Sequence, residues 1–166
     1  GYAGDRIPPA VALAEKGQLD YLVFECLAER TIALAQLEKI QNPMRGFDPL
    51  LSARMKAVLP ACMAHGTRII TNMGAANPLQ AGKEVLAVAK ALGLHQLKVA
   101  VVLGDDVLAI LQTQYLSEPL MDSTHTVSDI QALLVSANAY LGAEALLPAL
   151  QSDAHVIISG RVADPA

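Results

Sequence analysis

The stretch Arg68-Ile69-Ile70-Thr71-Asn72-Met73-Gly74-Ala75-Ala76-Asn77-Pro78 decides how this chain folds. A short β-branched run at Arg68 to Thr71 gives way to small residues. Asn77 then stands as a helix N-cap residue and Pro78 at the first helical position, where its missing N–H costs nothing. Val85, Val88, Ala89 and Leu92 follow at the spacing of one helix face, and Gly93 ends the segment. Strand, tight loop and helix succeed one another here, and the same alternation recurs along the chain, predicting an α/β protein.

Further strands are predicted at Asp20 to Phe24, Lys98 to Leu103, Leu133 to Ala137 and His155 to Ser159. Most are nearly continuous apolar runs, the pattern of parallel strands covered on both faces. Asp48 and Pro49 open a helix with Leu51, Met55, Val58 and Cys62 on one stripe and Gly66 after its end, with a kink expected at Pro60. Other helices are predicted at Leu27 to Ile40, Val107 to Gln112 and Ala143 to Leu150, and a short one runs from Pro8 and Pro9 to Gly17. The expected architecture is a single Rossmann-like layered domain over residues 1–166, a mainly parallel sheet flanked by helices. Gly1 to Arg6 reads as a turn that a strand should feed, and Gly160 to Ala166 stops within a strand-to-helix connection. The expectation is therefore a piece of a longer protein whose first strand lies outside the chain.

Composition narrows the function classes. Of 166 residues 53% are apolar and 17% charged, which excludes a disordered tail and leaves a sizeable core. A net charge of −4 with four tyrosines, two phenylalanines and no tryptophan argues against nucleic acid as a partner. The most apolar long stretch, Ala132 to Leu150, carries Ser136, Asn138, Glu144 and Pro148, so no membrane span is expected. With no secretory signal pattern and two cysteines lacking metal-ligand spacing, a cytoplasmic protein with reduced thiols is expected.

In open parallel sheets ligands sit beyond the carboxyl ends of the strands, and here those ends are polar. Glu25, Cys26, Glu29 and Arg30 follow the first strand; Asn72, Gly74 and Asn77 follow the second; Gly104, Asp105 and Asp106 follow the third. Asn138 and Tyr140 come next, then Arg161 and Asp164. Glu25 or Asp105 is the candidate general base, and Cys26 a candidate nucleophile. Arg6, Asn72, Gly74, Asn77, Asn138, Tyr140, Arg161 and Asp164 are candidate substrate-binding residues, with backbone amides after Asn72 placed to hold a carboxylate or phosphate. Each has a plainer reading. Asp105, Asp106 and Asn77 are possible helix caps, Glu25 a partner for Arg30 or Arg6, Cys26 a small core residue, Tyr140 a packed phenol and Arg161 with Asp164 a local ion pair.

His65, His95, His125 and His155 recur every α/β repeat, but three of them precede strands on the edge away from the crevice, so no metal site is expected from them. Asp105-Asp106 leaves magnesium open. There is no dinucleotide-binding glycine pattern, phosphate loop or nucleophile elbow.

Gly4-Asp5-Arg6-Ile7, Asp20 through Thr31, Arg68 through Pro78, and Gly160-Arg161-Val162-Ala163-Asp164-Pro165 closely resemble the acyclic terpene utilisation, AtuA-like, family. The resemblance spans nearly the whole chain and places it in the N-terminal region of longer proteins, whose pattern begins with a strand and further glycines upstream of Gly1. It implies a place in bacterial breakdown of citronellol- and geraniol-type terpenoids, beside acyl-CoA carboxylation and β-oxidation-like steps, and supplies no reaction.

The expected function is an enzyme acting on a branched acyl-CoA or hydroxy-acid intermediate by lyase- or hydratase-like acid/base chemistry. It requires no redox cofactor and takes an acyl-CoA or other phosphate-containing ligand. Arg161 and the amides after Asn72 would hold carboxylate or thioester oxygen. The alternatives are a non-catalytic metabolite-binding or assembly subunit, and a half-domain whose polar edge the rest of the protein covers. A small-molecule metabolite, the remainder of the chain and a second copy are the expected partners.

Overall fold

The computed structural model describes residues 3–164. It is an α/β fold around a four-stranded parallel sheet. In chain order the elements are α1 (Ile7–Lys16), β1 (Tyr21–Phe24), α2 (Glu29–Gln41), α3 (Leu51–His65), β2 (Arg68–Thr71), α4 (Pro78–Ala91), β3 (Val99–Val102), α5 (Leu108–Gln114), α6 (Val127–Ile130), α7 (Leu147–Gln151) and β4 (Val156–Ser159). The strands lie in the order β1-β2-β4-β3, so β4 returns to the middle of the sheet.

Side chains alternate across the pleat and define two unequal faces. Leu22, Phe24, Ile69, Val156 and Ile158 point to one face and pack with α1, α3 and α4, through Ala14, Met55, Val58, Leu59 and Val85. Fully burying an aliphatic side chain of this kind contributes about 1.5–3 kcal/mol, and this layer is the main core. On the opposite face Ile157 and Val102 pack beneath Ala149 of α7, with Ile70, Ala100 and Leu146 at the margin. That cover stops short of β1, whose Tyr21 and Val23 are 43% and 57% exposed. The expectation of strands buried on both faces therefore holds for β4 alone.

α3 is continuous through Pro60, which lies on its exposed side, while Leu51, Met55, Val58 and Cys62 hold the other side in the core. The expected helix at Ala143 to Leu150 is divided. A single 3₁₀ turn, Ala143–Leu146, precedes α7, whose Pro148 has no N–H to bond back into the preceding turn.

The fifth expected strand is absent among the described residues. Leu133 ends a 3₁₀ turn, and Leu133 and Val135 are 78% and 58% exposed. No ladder forms there. The segment is instead pinned at its end, where Val107 N–H donates to Ala137 O and Ala139 N–H to Asp105 O. An apolar run without a neighbouring strand edge to pair with does not make a strand.

Candidate functional site

The loops leaving β1, β2, β4 and β3 gather along the carboxyl edge of the sheet, and α2 lies above them. Only Ala35 and Gln36 of α2 are buried. Lys39 reaches down to Ala76 O (2.8 Å) and Asp106 (3.5 Å), and Gln36 Nε2 donates to Asn138 Oδ1 (3.4 Å).

Asn72 joins the first two loops. Its Oδ1 accepts the Cys26 N–H (2.7 Å), and its Nδ2 donates to Glu25 Oε1 (3.2 Å), which also accepts the Leu27 N–H (3.1 Å). One oxygen of Glu25 is thus oriented from below while the residue stays exposed to solvent. Glu25, Asn72, Ser159 and Asp164 line a crevice of about 80 Å³ at the ends of β1, β2 and β4. Neither Arg30 nor Arg6 forms an ion pair with Glu25 among the described residues.

Cys26 points the other way, into the protein, and Arg54 Nη1 donates to its Sγ at 2.9 Å. Burial pushes the thiol up from its ordinary value, and the Arg54 charge pulls it back only in part. A thiol held mainly protonated is a weak nucleophile. Cys26 and Asn72 stand in the wall of a cleft of about 220 Å³ beneath α2, whose other walls include Leu27, Leu34, Phe47 and Met73. Asp48 lines it too, and burial pushes its carboxyl up despite the hydrogen bond from Leu50 N–H (2.8 Å). Asn72 belongs to both cavities, so the apolar cleft and the crevice, whose walls also include Val23, Phe24 and Ile70, share one amide.

A second group forms around Asp105, which is 3% exposed. Its Oδ2 accepts the backbone N–H of Arg161 (2.8 Å) and Asn138 Nδ2 (3.0 Å). A Cβ on Gly160 would collide with that carboxylate, so glycine is required there for close approach. With its backbone so placed, Arg161 sends its guanidinium to Leu27 O (2.7 Å) and Glu29 Oε1 (2.8 Å). Tyr140 stacks over the guanidinium at 4.1 Å and donates its hydroxyl to the same Glu29 oxygen (2.8 Å). Hydrogen bonds from its own backbone and from Tyr140, together with the Arg161 charge, hold the Glu29 carboxyl below its usual range. Arg161 therefore pairs with Glu29, not with Asp164. Asn138, Tyr140, Arg161 and Glu29 border a further depression of about 230 Å³.

The start of α4 is arranged differently from expectation. The N–H groups of Met73, Ala75, Ala76 and Asn77 all have partners within the protein. Asn77 occupies the N-cap position, yet its side chain makes no cap and donates instead to Pro43 O (2.9 Å) and Arg45 O (2.7 Å). A Cβ on Gly74 would strike Ser159 O, so this glycine serves the close approach of the loop to β4. These amides are not free to cradle an anion. Arg6 precedes α1 at a third cavity, beside Arg54, and Pro8 and Pro9 leave that helix start short of N–H donors.

The strand-end residues thus fall into two groups under α2: Glu25, Cys26 and Asn72 on one side, and Asp105, Asn138, Tyr140 and Arg161 on the other. Asp106 lies in an ion pair with Lys39, and its Oδ1 accepts the Leu108 N–H at 3.3 Å. Among the described residues no three His, Cys, Asp or Glu side chains gather as a metal site would require. Arg54 and Asp48 were not singled out as site residues by spacing or motif, although Arg54 had a signal, a charge set within the apolar stripe of α3. Glu29 stood among the strand-end residues, but its pairing with Arg161 had no signal, because that partner lies 132 residues away.

Among known families, the model described as acyclic terpene utilisation family protein AtuA matches residues 1–166. No curated protein and no solved structure matches the chain.

Proposed function

We propose a function from the premise that this chain belongs to the acyclic terpene utilisation family AtuA, whose membership suggests a role in acyclic terpene utilisation. Within that role the chain carries the site of an enzyme acting on a branched, polar-headed acid or acyl-CoA by acid/base chemistry of the lyase or hydratase type. The observation that carries this reading is the sharing of Asn72 between an apolar cleft and a crevice that holds an oriented carboxylate, Glu25. The cleft, at about 220 Å³, exceeds the ~150 Å³ apolar cavity that takes up a benzene ring. It suits a methyl-branched hydrocarbon chain, whose transfer from water supplies binding energy at about 25 cal/mol per Å². A head group emerging at Asn72 would meet Glu25 as base, with Asp164 across the crevice.

Asp105 and Arg161 take other parts in this reading. Both are committed to internal partners, so Asp105 is a positioning residue for Arg161 and Asn138 and not the base. The same commitment favours, as the second reading, a metabolite-binding or assembly subunit without turnover.

The test is a panel of branched acids and their coenzyme A thioesters, screened by thermal stabilisation and then for turnover. A shift lost in Leu34→Trp, which fills the cleft, with turnover lost in Glu25→Gln but binding kept, supports the enzyme. Binding without turnover leaves the subunit, and no binding overturns both.

A further inference from the structure

Arg54 is the most deeply buried cation described here, 2% exposed on the inner face of α3. A guanidinium taken out of water ordinarily needs a carboxylate beside it, since an uncompensated buried charge is strongly destabilising. Among the described residues it makes no ion pair. The thiol of Cys26, the carbonyl of Asp5 (3.1 Å) and the face of Phe24 (5.3 Å) are its contacts, all of them neutral. Asp48 feels its charge from beyond ion-pair distance. Arg54 also lines a cavity of about 320 Å³ with Arg6, Asp5, Leu22 and Phe24. Its Cys26 contact is at the same time a wall of the apolar cleft under α2. The charge therefore stands at the carboxyl end of β1, between two cavities, with a second arginine on the nearer one.

We infer that Arg54, assisted by Arg6, is an anion anchor on the Cys26 side of the cleft, and that it receives an oxyanion of the ligand, a carboxylate or phosphate, other than the group that meets Glu25. A guanidinium offers planar paired donors that match either group, which a lysine ammonium does not reproduce. The inference rests on reading the neighbouring cleft as the site of the hydrocarbon chain. It adds that the ligand is an anion and names the residue that selects it: a branched acid or an acyl-CoA is accepted, and the corresponding alcohol is not.

The experiment follows the assigned Arg54 Nε–H by NMR in the whole protein while inorganic phosphate, 3-methylbutyrate or 3-methylbutanol is added at constant ionic strength. Saturable movement of that signal with either anion, and none with the alcohol, is expected, and which anion binds tighter separates a carboxylate from a phosphate source. Arg54→Lys should weaken anion binding about tenfold, ~1.4 kcal/mol, and the exposed Arg6→Gln by a smaller factor. Should Arg54→Lys fail to fold, the wild-type titration decides alone. An Arg54 signal unmoved by both anions overturns the inference, as does equal affinity in a folded Arg54→Lys. If the alcohol binds in the cleft and the anions leave Arg54 unmoved, the anchor fails and the chain site stands. If phosphate moves Arg54 and no branched compound binds better than phosphate, the anchor stands and the chain site fails.

Discussion

The carboxylate of Asp105 accepts the backbone N–H of Arg161 at 2.8 Å, across 56 residues of chain. This bond ties the loop after β3 to the loop after β4, and Asn138 joins at the same oxygen. Everything Arg161 does above the sheet, from Leu27 to Glu29 and Tyr140, starts from that fixed backbone.

Asp105→Ala leaves the Arg161 N–H and the Asn138 amide without their acceptor in a buried place. A loss of about 2–3 kcal/mol follows, read as a lower urea midpoint. Gly160→Ala pushes a methyl into the same carboxylate and should cost about 1–3 kcal/mol. If Gly160→Ala unfolds at the wild-type midpoint, the bond is not tight.

Asn72→Ala removes the acceptor of the Cys26 N–H and the donor to Glu25 together. Stability should fall by roughly 1–3 kcal/mol, and amide exchange at Cys26 should quicken. Unchanged exchange at Cys26 would show that Asn72 does not join the two loops.

Asp48 is a buried carboxyl whose folded pKa is raised, chiefly by burial. Its ionisation opposes folding. The associated loss of stability is absent below the unfolded Asp value near ~3.9, grows as pH rises towards the folded value, and is complete above it. Asp48→Asn, which keeps an acceptor for Leu50 N–H, should therefore be more stable than wild type at neutral pH. The difference should shrink in acid. Denaturation curves across pH that stay parallel would refute this.

Glu29 titrates low, first through a hydrogen bond to its own backbone and then through Tyr140 and Arg161. Tyr140→Phe removes the second of these, so the Glu29 midpoint, followed by carbon-detected NMR, should rise towards the ordinary carboxylate value. Its stabilising contribution is present above the unfolded value and is lost as pH falls through the folded one. A midpoint that does not move would show that the phenol does not act on Glu29.

Much of the fold is legible along the chain because its signals are local. The β-branched run before Asn72, Pro78 at the opening of α4 and the stripe Leu51, Met55, Val58 and Cys62 each answer to backbone sterics or to one helix period. Leu133 to Ala137 carries the same kind of local signal and forms no strand, since a strand exists only where a neighbour's edge is open to it. Glu25, Cys26, Asn72, Asp105 and Arg161 were legible as neighbours, because residues that follow strands of a parallel sheet meet at one edge, whereas Asn138 and Tyr140 reach that edge with no strand before them. The pairings of the site residues were not legible. Asn77 turned to the carbonyls of Pro43 and Arg45, and Arg161 reached Glu29 in place of Asp164.

By itself, then, the sequence determined the parallel α/β class, the positions of the strands that pair and the edge on which polar groups collect. All three rest on periodicity and capping within a few residues. Only the tertiary structure decided that β4 lies between β2 and β3 and that α2 lies over the cleft. It also decided that Asp105 supports Arg161, and that Arg54 is buried against Cys26 with no ion pair among the described residues. These depend on which distant surfaces fit together and on where each charge finds a partner, and no local pattern carries that information.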